Sequence, residues 1–258
     1  MLPVFDAHTM GQVLIAALAG GLIGLDRTAL GQFMVSQPIV AGPLTGWLLG
    51  DVSAGLAIGG ALELIWVLDM PVGTFVPADA TVTAVSATAI AAITGRGAAD
   101  VPLLGFSLLL TTIMVPVTMV ADHLMRMRNA QIPELVLGGS GMPSEARVTG
   151  WHLAGLIAFF LKSFMLCLGM IPAGLAAMAL FLSLPPATHR AMTLFIAFLP
   201  LLGAALVLRK QSMQVLDPYL LSGFFMAALC VHVLQIPVLA AVPLAAGAGW
   251  LGVRFGRG

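Results

Sequence analysis

Charged side chains are scarce: Asp, Glu, Lys and Arg together make up only 9% of this 258-residue chain. Soluble domains usually carry about 25%, so a water-facing globule of this composition could not cover its surface with polar groups. Apolar residues reach 60% and the mean hydropathy is +1.05, which makes lipid the main solvent. Neither charge sign is in excess, with eleven basic and eleven acidic residues, so nothing on the chain attracts nucleic acid. The two cysteines, Cys167 and Cys230, lie far apart in apolar stretches and form no CxxC pair. They are expected to be small packing residues, with no metal site or redox couple. The five histidines make no HxxxH or HExxH pattern, no glycine-rich phosphate loop is present, and no nucleophile–base–orienter set stands out. No cofactor is expected. The first ten residues lack Lys and Arg, so the first apolar run is expected to stay as a membrane segment.

What the chain does have is long apolar runs, at about 10–25, 33–50, 52–68, 76–95, 101–121, 150–184, 191–208, 219–235 and 237–253. At ~20 residues per crossing the length allows roughly eight to ten membrane segments. The expected fold is therefore an all-α polytopic integral membrane protein, with some segments broken or re-entrant. Its single domain divides into an N-terminal bundle (1–121), a polar connector (122–149) holding Arg126, Arg128, Glu134, Glu145 and Arg147, and a C-terminal bundle (150–258). Basic residues near span ends set orientation. Arg27, the Arg126–Arg147 group, Arg209 with Lys210, and Arg254 with Arg257 all fall inside if the N-terminus is outside and the crossings are odd in number. That parity requires 150–184 to cross once, with its remainder re-entrant or at the interface.

The stretch from Asp26 to Thr83 carries the polar groups worth attention. Gly42, Gly46 and Gly50, then Gly55 and Gly59, recur at four-residue spacing, as helices that approach closely in lipid require. Glu63 sits inside an apolar helix, where an acid costs ~2.5–3.5 kcal/mol at the bilayer centre, so it marks either a transport path or a bond to a neighbouring helix or base such as Lys162. Asp69 to Asp79 contains two prolines, a glycine and two acids, which reads as a surface loop or as a helix break of the kind that builds solute sites in transporters. The hydroxyls of Thr81, Thr83 and Ser86 follow and could line a polar face. Glu63, Asp69 and Asp79 could accept bonds from sugar hydroxyls, Trp66 could cover an apolar sugar face, and Gln37 could add a donor and acceptor. Lys162, deep in an apolar run, is expected to snorkel or to neutralise an acid.

The run Leu25-Asp26-Arg27, Gln37-Pro38, Leu49-Gly50-Asp51, Gly59-Gly60-Ala61-Leu62-Glu63-Leu64, Pro71-Val72-Gly73 and Pro77-Ala78-Asp79-Ala80 resembles the IIC membrane component of the mannose/fructose/sorbose class of the bacterial phosphotransferase system. The resemblance is specific over about residues 20 to 90 and weaker beyond. It implies an inner-membrane, multi-pass permease subunit that pairs with a IID membrane subunit and oligomerises. Cytoplasmic IIA and IIB phosphocarriers would phosphorylate the sugar on release, so the chain itself would not be an enzyme. It also implies sugar recognition by the Glu63 helix and the loop to Asp79. Two other readings of the same residues stay open: an ion-coupled secondary transporter with Glu63 and Asp79 as cation or proton sites, and a non-transporting scaffold or regulatory subunit.

Overall fold

The computed structural model describes residues 6–66, 77–95, 99–137, 144–211, 226 and 229–231. Among these residues all regular structure is helical: α1 (Ala7–Leu25), α2 (Pro38–Leu49), α3 (Val52–Trp66), α4 (Ala80–Ile93), α5 (Val101–Ile113), α6 (Val115–Asn129), α7 (Ile132–Leu137), α8 (Glu145–Phe181) and α9 (Pro186–Gln211). Among the described residues, three helical stretches are long and apolar enough to cross a membrane: α1, the α5–α7 run Val101–Leu137, and α8.

The start of α1 is fixed by Asp6, whose carboxylate accepts from the Thr9 N–H at 2.8 Å. Its 19 residues measure about 28 Å, one hydrocarbon thickness. One face of α1 is small throughout (Val13, Ala16, Ala17, Gly20, Gly24), and α8 packs along it in the antiparallel sense, Cys167 against Gly20 and Ser163 against Gly24. With 37 residues α8 extends about 55 Å and continues through Pro172. The stretch is one continuous helix, so no part of it turns back as a re-entrant segment. Its first turn, capped by Ser144, reaches into the stretch expected to be a connector, and α6 and α7 take up most of the rest.

Two short helices, α2 and α3, form a tight hairpin. At about 18 and 22 Å neither spans ~30 Å of hydrocarbon alone. Gly50 ends α2 in the left-handed region (φ 88°), and the Asp51 carboxylate then accepts from the Ala54 N–H at 2.9 Å and the Ser53 hydroxyl at 2.8 Å, starting α3. The glycine ladder does what its spacing suggests. A Cβ on Gly55 would collide with the Gly42 carbonyl, and one on Gly59 with the Pro38 carbonyl. Backbone lies on backbone here.

Every residue of α4 from Thr81 to Ala91 is buried, enclosed by α1, α2, α3, α5 and α8. Its hydroxyls therefore line no polar face. Thr81 donates to the Ser36 carbonyl at 2.7 Å and Thr83 to the Asp79 carbonyl at 2.9 Å, while Ser86 and Thr88 lie in the core. Helices from before and after 122–149 pack on one another, α1 and α4 on α8 and α5 on α9.

Gly55→Val is expected to lower the stability of the solubilised protein by about 1–3 kcal/mol, the usual penalty for overpacking, because its added atoms meet backbone that cannot turn aside. Gly60→Ala, whose Cβ would meet only Ile39 Cδ1 at 3.7 Å, is expected to be neutral or slightly stabilising. Thermal unfolding of the two variants side by side checks the difference.

Candidate functional site

Three helix ends meet beside the C-terminal end of α1. Asp26, the residue after α1, folds the next loop around itself: its carboxylate accepts from the Phe33 N–H at 2.6 Å and the Ser36 N–H at 3.0 Å. Gln32 and Met34 hold positive φ (57° and 66°) within that loop, so two non-glycine residues sit in the left-handed region. Burial alone would raise the Asp26 carboxyl, but the N–H groups of Ser36 and Phe33 favour its charged form and hold it below the ordinary 3.8. The bond from Thr81 to the Ser36 carbonyl then ties this loop to the first turn of α4.

Gln37 is the N-cap residue of α2 but makes no side-chain cap bond. Glu63, near the C-terminal end of α3, supplies the missing acceptor: its Oε2 takes the Ile39 N–H at 3.1 Å. A carboxylate at a helix N-terminus is favoured by the exposed N–H groups and the helix dipole. Glu63 thus makes the bond to a neighbouring helix that was one of its two expected roles, and Lys162 is not its partner. Its other oxygen has no partner among the described residues. Trp66 follows one turn later, half-buried against the core. Asp69 lies outside the described residues.

Asp79 is the N-cap of α4 and is almost fully enclosed, at 1% exposure. One oxygen accepts from the Val82 N–H at 3.2 Å and faces Arg27 Nη1 at 3.2 Å, while the other accepts from Lys162 Nζ at 2.7 Å. Lys162 also donates to Asp122 at 3.0 Å, and the second Asp122 oxygen accepts from Arg126 Nε at 2.9 Å. Arg27 donates through Nη2 to the Ala78 carbonyl at 2.8 Å and the Pro77 carbonyl at 3.3 Å. The Asp79 N–H is accepted by the Thr118 hydroxyl at 3.2 Å. A continuous chain of charge, Arg27–Asp79–Lys162–Asp122–Arg126, therefore binds the C-terminal end of α1 and the start of α4 to α6 and α8.

Asp79 is therefore not an unpaired acid, because two cations occupy its oxygens. The whole group also lies level with one end of the α1 span rather than at its middle. Sequence reasoning gave Lys162 its acid-neutralising role but missed Asp122, which was placed at the head of a connector. It also took Arg27 and Arg126 only as orientation signals. Thr118, Asp122 and Arg126 recur every four residues on one face of α6, and that spacing was the available signal.

Lys162→Met is expected to cost about 3–5 kcal/mol, because it leaves two buried carboxylates facing each other without their shared cation. Adding Asp79→Asn to it is expected to restore part of that loss, measured by thermal unfolding in detergent. Asp26→Asn is expected to lose about 1.5–3 kcal/mol at neutral pH, the worth of hydrogen bonds to a charged acceptor. Because the folded Asp26 value is depressed, the wild-type advantage is present above 3.8 and vanishes as pH falls through the lower folded value. Unfolding curves of both proteins across that range check the sign.

Comparison with known proteins places this geometry. A family described as "PTS system sorbose-specific iic component" matches residues 10–248. A putative N-acetylgalactosamine permease IIC component 2 of Escherichia coli K12 is 37% identical over 86 residues, 32% of this chain and 64% of that one. The mannose-specific EIIC component of the same strain is 30% identical over 118 residues, 43% of this chain and 44% of that one. The matched stretches thus span less than two thirds of either relative. Among solved structures, one titled "Structure of membrane protein" superposes with a TM-score of 0.63 at 18% identity, over 97% of each chain. The mannose transporter ManYZ, solved with microcin E492, gives 0.55 at 19% identity over 96% of each, so both share the fold. With a family match running from α1 to within ten residues of the C-terminus, the chain belongs to the sorbose-specific IIC family of phosphotransferase-system membrane components.

Proposed function

We propose that this chain is the sugar-translocating IIC subunit of a mannose-class phosphotransferase system in a bacterial inner membrane, crossing it in eight to ten segments. It binds a hexose-like sugar and releases it to the cytoplasm, where a IIB partner charged by IIA phosphorylates it. A IID subunit completes the membrane unit, which assembles as an oligomer. The IIC chain performs no phosphoryl transfer. Family membership supports this reading. The observation that carries it is the meeting of the α2 and α4 N-termini with Glu63 of α3 at a break between short helices. Discontinuous helices build solute sites in transporters because their end groups stay available to the solute.

In this site Glu63 offers its second oxygen to a sugar hydroxyl, Gln37 adds an amide that is not consumed by capping, and Trp66 covers an apolar sugar face. Asp79 and Asp69 are the further candidates. Asp79 takes part by exchanging one of its cations for a hydroxyl, and Asp69 from the segment between α3 and α4. The solute-binding elements come from residues 1–121, with 150–258 as their support. Two cations on Asp79 weigh against the ion-coupled alternative, because they already occupy the oxygens that a transported ion would need.

The test is sugar uptake in cells that express the chain with its IIA, IIB and IID partners. Glu63→Gln is expected to reduce uptake about ten-fold or more at unchanged membrane abundance, while the exposed Glu145→Gln is expected to leave it unaltered. Unchanged uptake in Glu63→Gln overturns the site. Uptake by the chain alone in liposomes, driven by an ion gradient without phosphocarriers, overturns the function.

A further inference from the structure

The outer faces of α6 and α8 enclose a groove of about 380 Å³ that the solute reading does not use. Its walls are apolar, with Leu124 and Met125 from α6 and Met165 and Leu166 from α8. Its two polar groups are both cations: Lys162 at the floor and Arg128, exposed in the last turn of α6, at the rim. The buried ionic chain behind that floor holds three cations against two carboxylates, so its own charge does not cancel. Arg128 adds to the excess and has no carboxylate partner among the described residues. An apolar trough with a surplus of positive charge at one end is the complement of an amphiphile with an anionic head.

Depth along the bilayer agrees. From Lys162 to the end of α8 at Phe181 is about 28 Å, close to the ~30 Å of a hydrocarbon core. The antiparallel α1 has the same length and ends beside this cluster, at Asp26 and Arg27. The full length of α1 therefore puts Lys162 and Arg128 near a headgroup boundary, and the C-terminal part of α8 has the length to reach the opposite one. Arg27, Arg126, Arg128 and Arg147 gather on that side, which the positive-inside rule assigns to the cytoplasm, where the leaflet carries anionic lipid.

We infer that the α6–α8 groove is a binding site for an anionic phospholipid, its phosphate on Arg128 over the field of Lys162 and its acyl chain along Leu124 and Met165. A free inorganic anion would leave the apolar walls unused. A zwitterionic lipid would bring its own cation to a place that already has too many. The bound lipid would sit one side chain away from Asp79, since Lys162 contacts both the groove and that carboxylate.

Native mass spectrometry of the purified protein, incubated in parallel with phosphatidylglycerol, phosphatidylcholine and inorganic phosphate, tests the site. Wild type is expected to retain phosphatidylglycerol over phosphatidylcholine by about five-fold or more, the worth of one basic residue at an anionic surface. Arg128→Gln is expected to remove most of that preference. Met165→Trp, at an exposed position where folding is spared, is expected to cut phosphatidylglycerol retention by filling the trough. Equal retention of the two lipids overturns the inference, as does an Arg128→Gln protein indistinguishable from wild type, or full displacement of the lipid by inorganic phosphate. None of these outcomes depends on sugar uptake.

Discussion

Lys162 between Asp79 and Asp122 is the contact on which the arrangement of the helices depends. Removing an ammonium and two carboxylates from water is costly, and only close, well-aligned pairing offsets it. The pairing here is close, at 2.7 and 3.0 Å, and Arg27 and Arg126 close off its two ends. The geometry it imposes is mutual. The start of α4 cannot shift along α8 without separating Asp79 from Lys162, and α6 cannot withdraw without exposing Asp122. Arg27 extends the same constraint to the end of α1, and its second nitrogen holds the carbonyls of Pro77 and Ala78 just ahead of α4.

Around this polar anchor the packing follows a rule particular to lipid, where hydrophobic burial does little to draw helices together and close backbone approach does more. The central helix α4 is built mostly of Ala, Thr, Ser and Val, with Ile90 and Ile93 near its end, so neighbours close in on every side of it. The α2–α3 hairpin carries the rule furthest, with Gly42, Gly55 and Gly59 placing carbonyl against Cα. Between them the two devices divide the work: small residues set how near the helices lie, and the ion chain sets their register.

Much of this was legible in the sequence, and the misses have physical reasons. Low charge and long apolar runs pointed to an all-helical membrane protein, and the four-residue glycine spacing pointed to close helix contact, which the structure places between α2 and α3. Glu63 was singled out because an acid in an apolar run needs an explanation, and Asp79 because it closes a stretch of prolines, glycine and acids. Which explanation holds at each depends on what lies opposite, and that is a matter of tertiary structure. Lys162 is 83 residues from Asp79 and 40 from Asp122. Local reading could offer it an acid but not say which. Asp122 was missed because it stands beside a genuinely polar stretch, and only its helical spacing from Thr118 and Arg126 separates it from a solvated residue. The continuity of α8 was hidden by Pro172 and by a length that exceeds a single crossing.

The two carboxylates that the sequence treated alike are in opposite conditions, and that difference bears directly on where a solute can make contact. At Asp79 both oxygens already face cations, so an arriving hydroxyl must displace Lys162 or Arg27 and leave a buried charge short of its partner. At Glu63 one oxygen holds a single backbone N–H at the start of α2, and a hydroxyl on the other displaces no ion pair. A neutral sugar hydroxyl brings no charge to offset that loss, so contact at Asp79 is the costlier of the two. The cheaper contact is at Glu63, where a ligand also touches the residue that caps α2. In the proposed site, solute and helix end would share one carboxylate. Turning that carboxylate toward a sugar would act on the seating of a hairpin too short to cross the membrane on its own, while the ion chain keeps α1, α4, α6 and α8 in place behind it.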